Sequence, residues 1–516
     1  VSPADEELVS REPVAEGPKT RGGVSRAALR GAAWMGFASW VNQAVALTAF
    51  IVLGRLLAPQ EFGLVAAASV VLWLLRVLVD QGFSQVLVQR GDLTGTHVDT
   101  AFWTALGTGI AIAAVTALSA PLVADLYSLP ELTNVLRALS IVFVFAALDS
   151  TQSALLAREM KFRVQAVRRL VASVASGVVA VWLAVSGAGV WALVAQTLAY
   201  EGLIAVLLWS LVSWRPSRRF SRPAFVELFG FGFRLTLIRV LTNVGAYADN
   251  LLIGIVVGAV ALGYYVVGFR VVVVVNTLIS LALMQVVLSA FSRLQHDRGL
   301  LNAAFYRSTR LAAAISLPIY AGLALVAQPL TVLVFGHKWA PSAPVMQALA
   351  LAGFVQGQLI FSTQYAIAIG RVANELRWTA GLIGAELIAF AIAVQFGIVE
   401  VALSLGLVLL AAWPLRLYLL GVWGGIHLRS YFRIFPRLGA AALTMAAAVL
   451  GVRAALADAG EAVELVAAVV VGAATYLLGL TLFARGELRE MWEWGRELRS
   501  GRGAEAAGVG VGAQGA

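Results

Sequence analysis

The chain contains no cysteine, so it has no disulfide framework, no thiolate nucleophile and no thiolate-ligated metal. Charge is scarce: 13% of the 516 residues are Asp, Glu, Lys or Arg, against about a quarter in an ordinary soluble protein. The four histidines, His97, His296, His337 and His427, fall in separate loops or span ends, and no His/Asp/Glu group has metal-ligand spacing. No nucleophile–base arrangement and no phosphate-cradling P-loop can be found. The first residues are polar and acidic, without the apolar core of a cleaved signal peptide. These absences exclude a soluble enzyme and predict neither metal nor cofactor.

What the chain has instead is apolar surface: 60% of its residues are hydrophobic and its mean hydropathy is +0.85. A soluble core stops growing near ~250–300 residues and could not bury so much. The composition predicts an all-α integral membrane protein, because a helix satisfies its own backbone hydrogen bonds in lipid. Apolar stretches of about 20 residues, each long enough to span a bilayer, recur at 31–54, 63–87, 101–126, 132–156, 167–186, 189–213, 227–257, 261–290, 308–335, 344–369, 375–396, 399–421, 437–457 and 461–484. That is a prediction of about fourteen transmembrane helices.

The net charge of +10 supports this count rather than a nucleic-acid partner. With the N-terminus inside, twenty-nine Lys and Arg fall in the tails, the predicted cytoplasmic breaks or the span ends beside them. Only Arg55, Arg137, Lys338 and Arg453 fall in the outer breaks or the span ends beside them; Arg76, Arg234, Arg239, Arg270 and Arg416 lie deeper within spans. Such asymmetry is the positive-inside signature, and a wrong helix count would scramble it. Both termini are expected in the cytoplasm. The outer breaks are too short to hold a catalytic domain, so the chain is not expected to be an enzyme.

A weak internal repeat divides the chain. GRLLAPQEFG begins at Gly54 and GIVVGAVALG at Gly254, and Gly54/Gly254 and Gly63/Gly263 share an offset of two hundred residues. Parallel repeats about an axis along the membrane normal are a transporter feature. The predicted organisation is a cytoplasmic disordered tail (1–30), an N-lobe of six helices (31–213), a cytoplasmic linker (214–226), a C-lobe of six helices (227–421), two added helices (437–484) and a cytoplasmic tail (485–516).

Ionisable groups at membrane depth usually face a cavity or each other. Asp249 and Arg270 flank the turn between the seventh and eighth spans and are expected at one depth, as an ion pair or as contacts for a substrate or ion. Arg76 has Asp80 one turn later, within reach at i,i+4. Arg239 sits at a comparable depth, so Arg76, Arg239 and Arg270 could line a basic path. Glu201 and Glu386, near the middles of their spans, read as proton or cation sites or as packing residues. Asn42 and Asn276, among other amides, offer hydrogen bonds to a polar cargo or between helices.

Three stretches carry a family resemblance. Residues 31–90, GAAWMGFASWVNQAVALTAFIVLGRLLAPQEFGLVA…LLRVLVDQGFSQVLVQR, resemble the opening of bacterial polysaccharide transporters of the multidrug/oligosaccharidyl-lipid/polysaccharide (MOP) flippase superfamily. Residues 247–270, YADNLLIGIVVGAVALGYYVVGFR, and 335–353, FGHKWAPSAPVMQALALAG, are similar to the same family. The resemblance implies a MATE/MOP-like fold of two six-helix lobes. It also implies alternating access that moves a polyprenyl-diphosphate-linked oligosaccharide (an O-antigen, capsule or exopolysaccharide unit) across the bacterial inner membrane. It implies functional arginines in the second and eighth helices, matched by Arg76 and Arg270, while the acidic residue of the relatives' second helix has no clear match. The two added helices would form a groove for the lipid tail. A diphosphate suits this picture, since arginine offers it charge-assisted, bidentate hydrogen bonds. Expected partners are that lipid-linked saccharide, membrane lipids, and the polymerase and glycosyltransferases of the pathway, with the chain itself a monomer. The alternatives are a cation-coupled multidrug exporter of the same fold, a membrane glycosyltransferase or polymerase, and an inert scaffold.

Overall fold

The computed structural model describes residues 40–90, 92–294, 297–486 and 489. The expected N-terminal tail and most of the C-terminal tail lie outside the described residues. No strand occurs among the described residues. The helices are α1 (Trp40–Leu56), α2 (Pro59–Asp80), α3 (Phe83–Gln89), α4 (Gly95–Leu126), α5 (Leu132–Leu139), α6 (Val142–Arg158), α7 (Phe162–Val185), α8 (Val190–Leu211) and α9 (Arg222–Val256). They continue with α10 (Ala259–Leu294), α11 (Arg298–Phe335), α12 (Ser342–Ala368), α13 (Val372–Ala393), α14 (Ile398–Gly424), α15 (Leu428–Phe432), α16 (Phe435–Ala455) and α17 (Glu461–Phe483).

Among the described residues, 12 spans are long and apolar enough to cross a membrane, with α5 and α6 forming one span and α15 and α16 another. The two other predicted crossings fall on α1, whose described part is shorter, and on α9, which is 35 residues long but carries Arg222, Glu227, Arg239 and Asp249. The fold is therefore all-α and multi-spanning.

Helix starts follow local chemistry. Pro59 opens α2, where its missing N–H costs nothing, and Glu61 turns back to accept from the Ala58 amide at 2.6 Å. Pro223 and the Ser221 hydroxyl do the same for α9. Pro121, Pro318, Pro329 and Pro414 lie inside helices, as membrane helices tolerate when neighbours satisfy the freed carbonyls.

One predicted span, 63–87, is broken. Gln81 and Gly82 adopt left-handed conformations (φ 49° and 73°) and separate α2 from α3. The break packs on α9: a Cβ on Gly82 would lie 2.7 Å from the Gly232 carbonyl oxygen, and one on Gly232 would lie 2.3 Å from that of Gln81.

The 200-residue offset has a structural counterpart. A Cβ on Gly63 would lie 1.7 Å from the Ala259 carbonyl oxygen, and one on Gly263 would lie 2.0 Å from that of Pro59. The repeat relates 63 to 263 and 59 to 259, so the two contacts are reciprocal copies of one another. They cross α2 over α10 at their predicted outer ends. The added helices α16 and α17 pack on each other and against α11.

Candidate transport site

At the predicted outer face helix ends are tied together by donors that cap them. The last carbonyls of a helix have no intrahelical partner and carry partial negative charge. At the end of α1, the Gly54 carbonyl accepts from Trp339 Nε1 at 2.7 Å, and those of Arg55 and Leu57 accept from Lys338 Nζ at 2.8 and 2.7 Å. At the end of α11, the carbonyls of Leu333 and Val334 accept from Arg55, the latter at 2.8 Å. Phe50, Phe62, Phe335 and Trp339 stack edge-on beneath these bonds, with ring centroids 5.2–5.9 Å apart. Arg137 and Arg453, the other two basic residues expected outside, also donate to main-chain carbonyls, those of Ala117 and Leu325. The exceptions to the charge rule are thus tied to protein.

Toward the predicted inner face the charges form cross-helix pairs. Arg76 on α2 makes a two-point pair with Glu201 on α8, one bond of which is 3.0 Å long. Glu201 is nearly buried, while the Arg76 side chain keeps 34% of its surface exposed. This replaces the expected Arg76–Asp80 pair. Asp80 ends α2, and its carboxylate caps α3 by accepting from the Ser84 amide (3.1 Å) and hydroxyl (2.5 Å). Its second oxygen faces Arg239 of α9 at 3.7 Å. Arg76, Asp80, Ser84, Gln85, Asp149, Ser150, Ser153 and Gln165 line a polar cavity of about 520 Å³.

Sequence reasoning missed the neighbouring pair. Arg168 of α7 is buried and donates to Asp149 of α6 at 2.6 Å and to Ser153 Oγ at 3.1 Å. It likewise missed Glu375, which joins Arg416 across α13 and α14.

The expected Asp249–Arg270 pair does not form. Asp249 is buried and accepts from the Tyr265 hydroxyl and the Asn250 amide, both at 2.7 Å. It lies seven residues before the end of α9, and Tyr265 lies six residues into α10, so the two are level. Arg270 is five residues further on, about 7 Å deeper and about 140° around the helix at 1.5 Å and ~100° per residue. Its guanidinium lies 5.8 Å from the Phe50 ring of α1, and its Nε, buried, has no hydrogen-bond partner among the described residues. Asn42 Oδ1 on α1 is likewise buried and unpartnered there. Asn276 donates to Gln356 at 3.1 Å, and half-buried Glu386 has no ion-pair partner among the described residues.

At the predicted inner surface, Arg90 joins Asp92 (2.8 Å) and Glu227 of α9 (2.5 Å). The Arg90 guanidinium holds the Asp92 carboxyl down at about 2, so this clasp loses that charge only as pH falls through that value. An apolar groove of about 560 Å³ runs between α10, α11, α16 and α17, lined by residues such as Val275, Ile319, Met445 and Leu477.

These features define a polytopic helical protein with buried charges in cross-helix pairs, and solved structures share its fold. The lipid II flippase MurJ in an inward closed conformation superposes with a TM-score of 0.73, covering 88% of this chain and 99% of that one at 14% identity. Residues 52–344, more than half of the chain, match the family described as polysaccharide biosynthesis protein, and the chain belongs to that family. It is 25% identical over 414 residues to the teichuronic acid biosynthesis protein TuaB of Bacillus subtilis, covering 80% of this chain and 86% of that one. It is 28% identical over 301 residues to the succinoglycan biosynthesis transport protein ExoT of Rhizobium meliloti, covering 58% and 61%. It is a multi-pass protein of the bacterial inner membrane.

Proposed function

We propose that the chain is a flippase that moves a polyprenyl-diphosphate-linked saccharide from the inner to the outer leaflet as one step of polysaccharide assembly. One observation carries the reading: Arg55, Lys338 and Trp339 tie α1 to α11 at the predicted outer face, beside a surface hollow of about 580 Å³, while a polar cavity with Arg76 in its wall lies among the N-lobe helices in the predicted inner half. Family membership and the word "transport" in ExoT's name support it.

In this reading fourteen helices span the membrane with both termini inside. Residues 31–213 and 227–421 form two six-helix lobes joined by the linker 214–226, and 437–484 is an added pair. The reciprocal crossing of Gly63 and Gly263 supports the two lobes. The diphosphate carries about two negative charges and cannot enter hydrocarbon unaided. Arg76 meets it from the N-lobe and Arg270 from the C-lobe, with Arg239, Asn42 and Asn276 as further polar contacts. Arg76 is already engaged by Glu201, so the headgroup competes with a carboxylate for it. Arg270 stacks on Phe50 and its Nε–H has no partner among the described residues, so it is the cation ready for a new acceptor. The apolar groove beside α16 and α17 takes the lipid tail, which stays in hydrocarbon while the headgroup passes. Asp249 and Glu386 are held apart from the arginines, where they serve ion coupling.

The arginines favour an anionic cargo over the cationic substrate of a multidrug exporter. The test is complementation of a bacterium lacking its own flippase, with surface polymer as the readout. Arg270→Ala, present in the membrane at wild-type level, should export none; normal export would remove Arg270 from the mechanism.

A further inference from the structure

The α13–α14 hairpin is closed at one end and open at the other. Around its turn, Phe390, Ala393, Val401 and Leu405 are buried in the main core. From Ala385 and Val408 toward the far ends a cavity of about 860 Å³ lies between the two helices. Small residues, Gly381 and Ala412 among them, leave its track open. Its mouth holds Arg377 and Asn374, flanked by the indoles of Trp378 and Trp423. In the orientation proposed above, that mouth sits at the cytoplasmic interface.

The mouth is built around buried charge. Arg416 is fully buried and pairs with Glu375, and its guanidinium lies 5.2 Å from the Trp378 ring and 5.8 Å from that of Trp423. One cation therefore braces both indoles, an arrangement that gains strength out of water. The same pair consumes the acidic group nearest the mouth, because Glu375 also accepts from the Thr363 hydroxyl. Arg377, exposed and without an ion-pair partner among the described residues, is left with an uncompensated charge.

We infer that this cleft binds one anionic phospholipid of the cytoplasmic leaflet. Its phosphodiester sits at Arg377 and Asn374, its glycerol region between the indoles, and one acyl chain along Gly381 and Ala412. Tryptophan suits that depth, being apolar on its faces and polar at its edge. A phosphodiester with a single charge matches Arg377, the one arginine among the described residues that line the cleft. The substrate's tail has its own groove beside α16 and α17, on other helices of the C-terminal half.

The test is native mass spectrometry of the full-length protein, delipidated in detergent and then given phosphatidylglycerol or phosphatidylcholine at equal concentration. The wild type should retain one phosphatidylglycerol more tightly than phosphatidylcholine. Arg377→Gln, an exposed substitution that leaves the core untouched, should weaken that retention about fivefold, the factor given by ~1 kcal/mol per basic residue at an anionic surface. Gly381→Leu with Ala412→Leu should fill the cleft and release either lipid. Unchanged phosphatidylglycerol retention in Arg377→Gln would overturn the inference, whatever the double variant does. Displacement of phosphatidylglycerol by equimolar polyprenyl phosphate, sensitive to Arg377→Gln, would equally overturn it by making the occupant the transported lipid. Export in cells tests the flippase reading separately and does not enter this result.

Discussion

Arg76 and Arg270 are in different states. Arg76 is committed to Glu201, and Arg270 has hydrogen-bonding capacity to spare. Substitutions at Glu201 and Arg76 should therefore act in opposite directions. Glu201→Gln removes the competitor for Arg76 and should lower the lipid-linked substrate concentration giving half-maximal transport in proteoliposomes; Arg76→Ala should raise it. Equal shifts in one direction would mean that the pair only holds α2 to α8. Asp249 makes a different prediction, because its bonds go to Tyr265 and to main chain. Tyr265→Phe leaves a buried carboxylate short of a donor, at a cost of about 1–3 kcal/mol. It should lower the thermal unfolding midpoint in detergent, and Arg270→Ala should leave that midpoint nearly unchanged. A normal midpoint in Tyr265→Phe would show that the carboxylate finds another donor.

Helices were the most legible elements of the sequence. Among the described residues every predicted apolar stretch falls on helix, with 63–87 and 132–156 each divided between two helices, because length and hydropathy are set by the bilayer and not by tertiary detail. The partners of buried charges were harder to read, since a helix can present a side chain in any direction. Asp249 and Arg270 seemed level only when the turn was taken a few residues late; α10 starts at Ala259, and Tyr265 is the true neighbour. The same hairpin arithmetic would have found Asp149 and Arg168, nine residues before the end of α6 and six into α7. The α2–α3 break left a signal in Gln81–Gly82, hidden by the apolar residues on both sides. Gly63 and Gly263 were read as a repeat, and their role is contact between backbones. Gly263→Ala would drive a methyl group into the Pro59 carbonyl, where only main chain can yield. Overpacking of this kind costs about 1–3 kcal/mol, so the variant should melt lower than a control such as Gly439→Ala, where a Cβ meets nothing. Equal melting points would mean that the α2–α10 crossing is loose.

For the molecule as a whole, the proposed reading makes the tied outer ends of α1 and α11 and the cavity in the inner half one stage of alternating access. Arg55 and Lys338 tie α1 to α11 through carbonyls at two helix ends, so in that reading replacing both by Ala should favour the outward-open form. The natural absence of cysteine makes this measurable by single-cysteine labelling. A cysteine at Leu53, buried beside these ties, should react with a membrane-impermeant maleimide from outside only in the doubly substituted protein. The most direct measurement is flipping itself. The purified protein is reconstituted in liposomes carrying a polyprenyl-diphosphate oligosaccharide, and headgroup exposure is followed with an impermeant sugar-modifying reagent. The account predicts that wild-type protein brings the protected half of the substrate to the outer surface and that Arg270→Ala behaves like empty liposomes. Protection in the wild-type sample equal to that of empty liposomes, or full transport by Arg270→Ala, would contradict it.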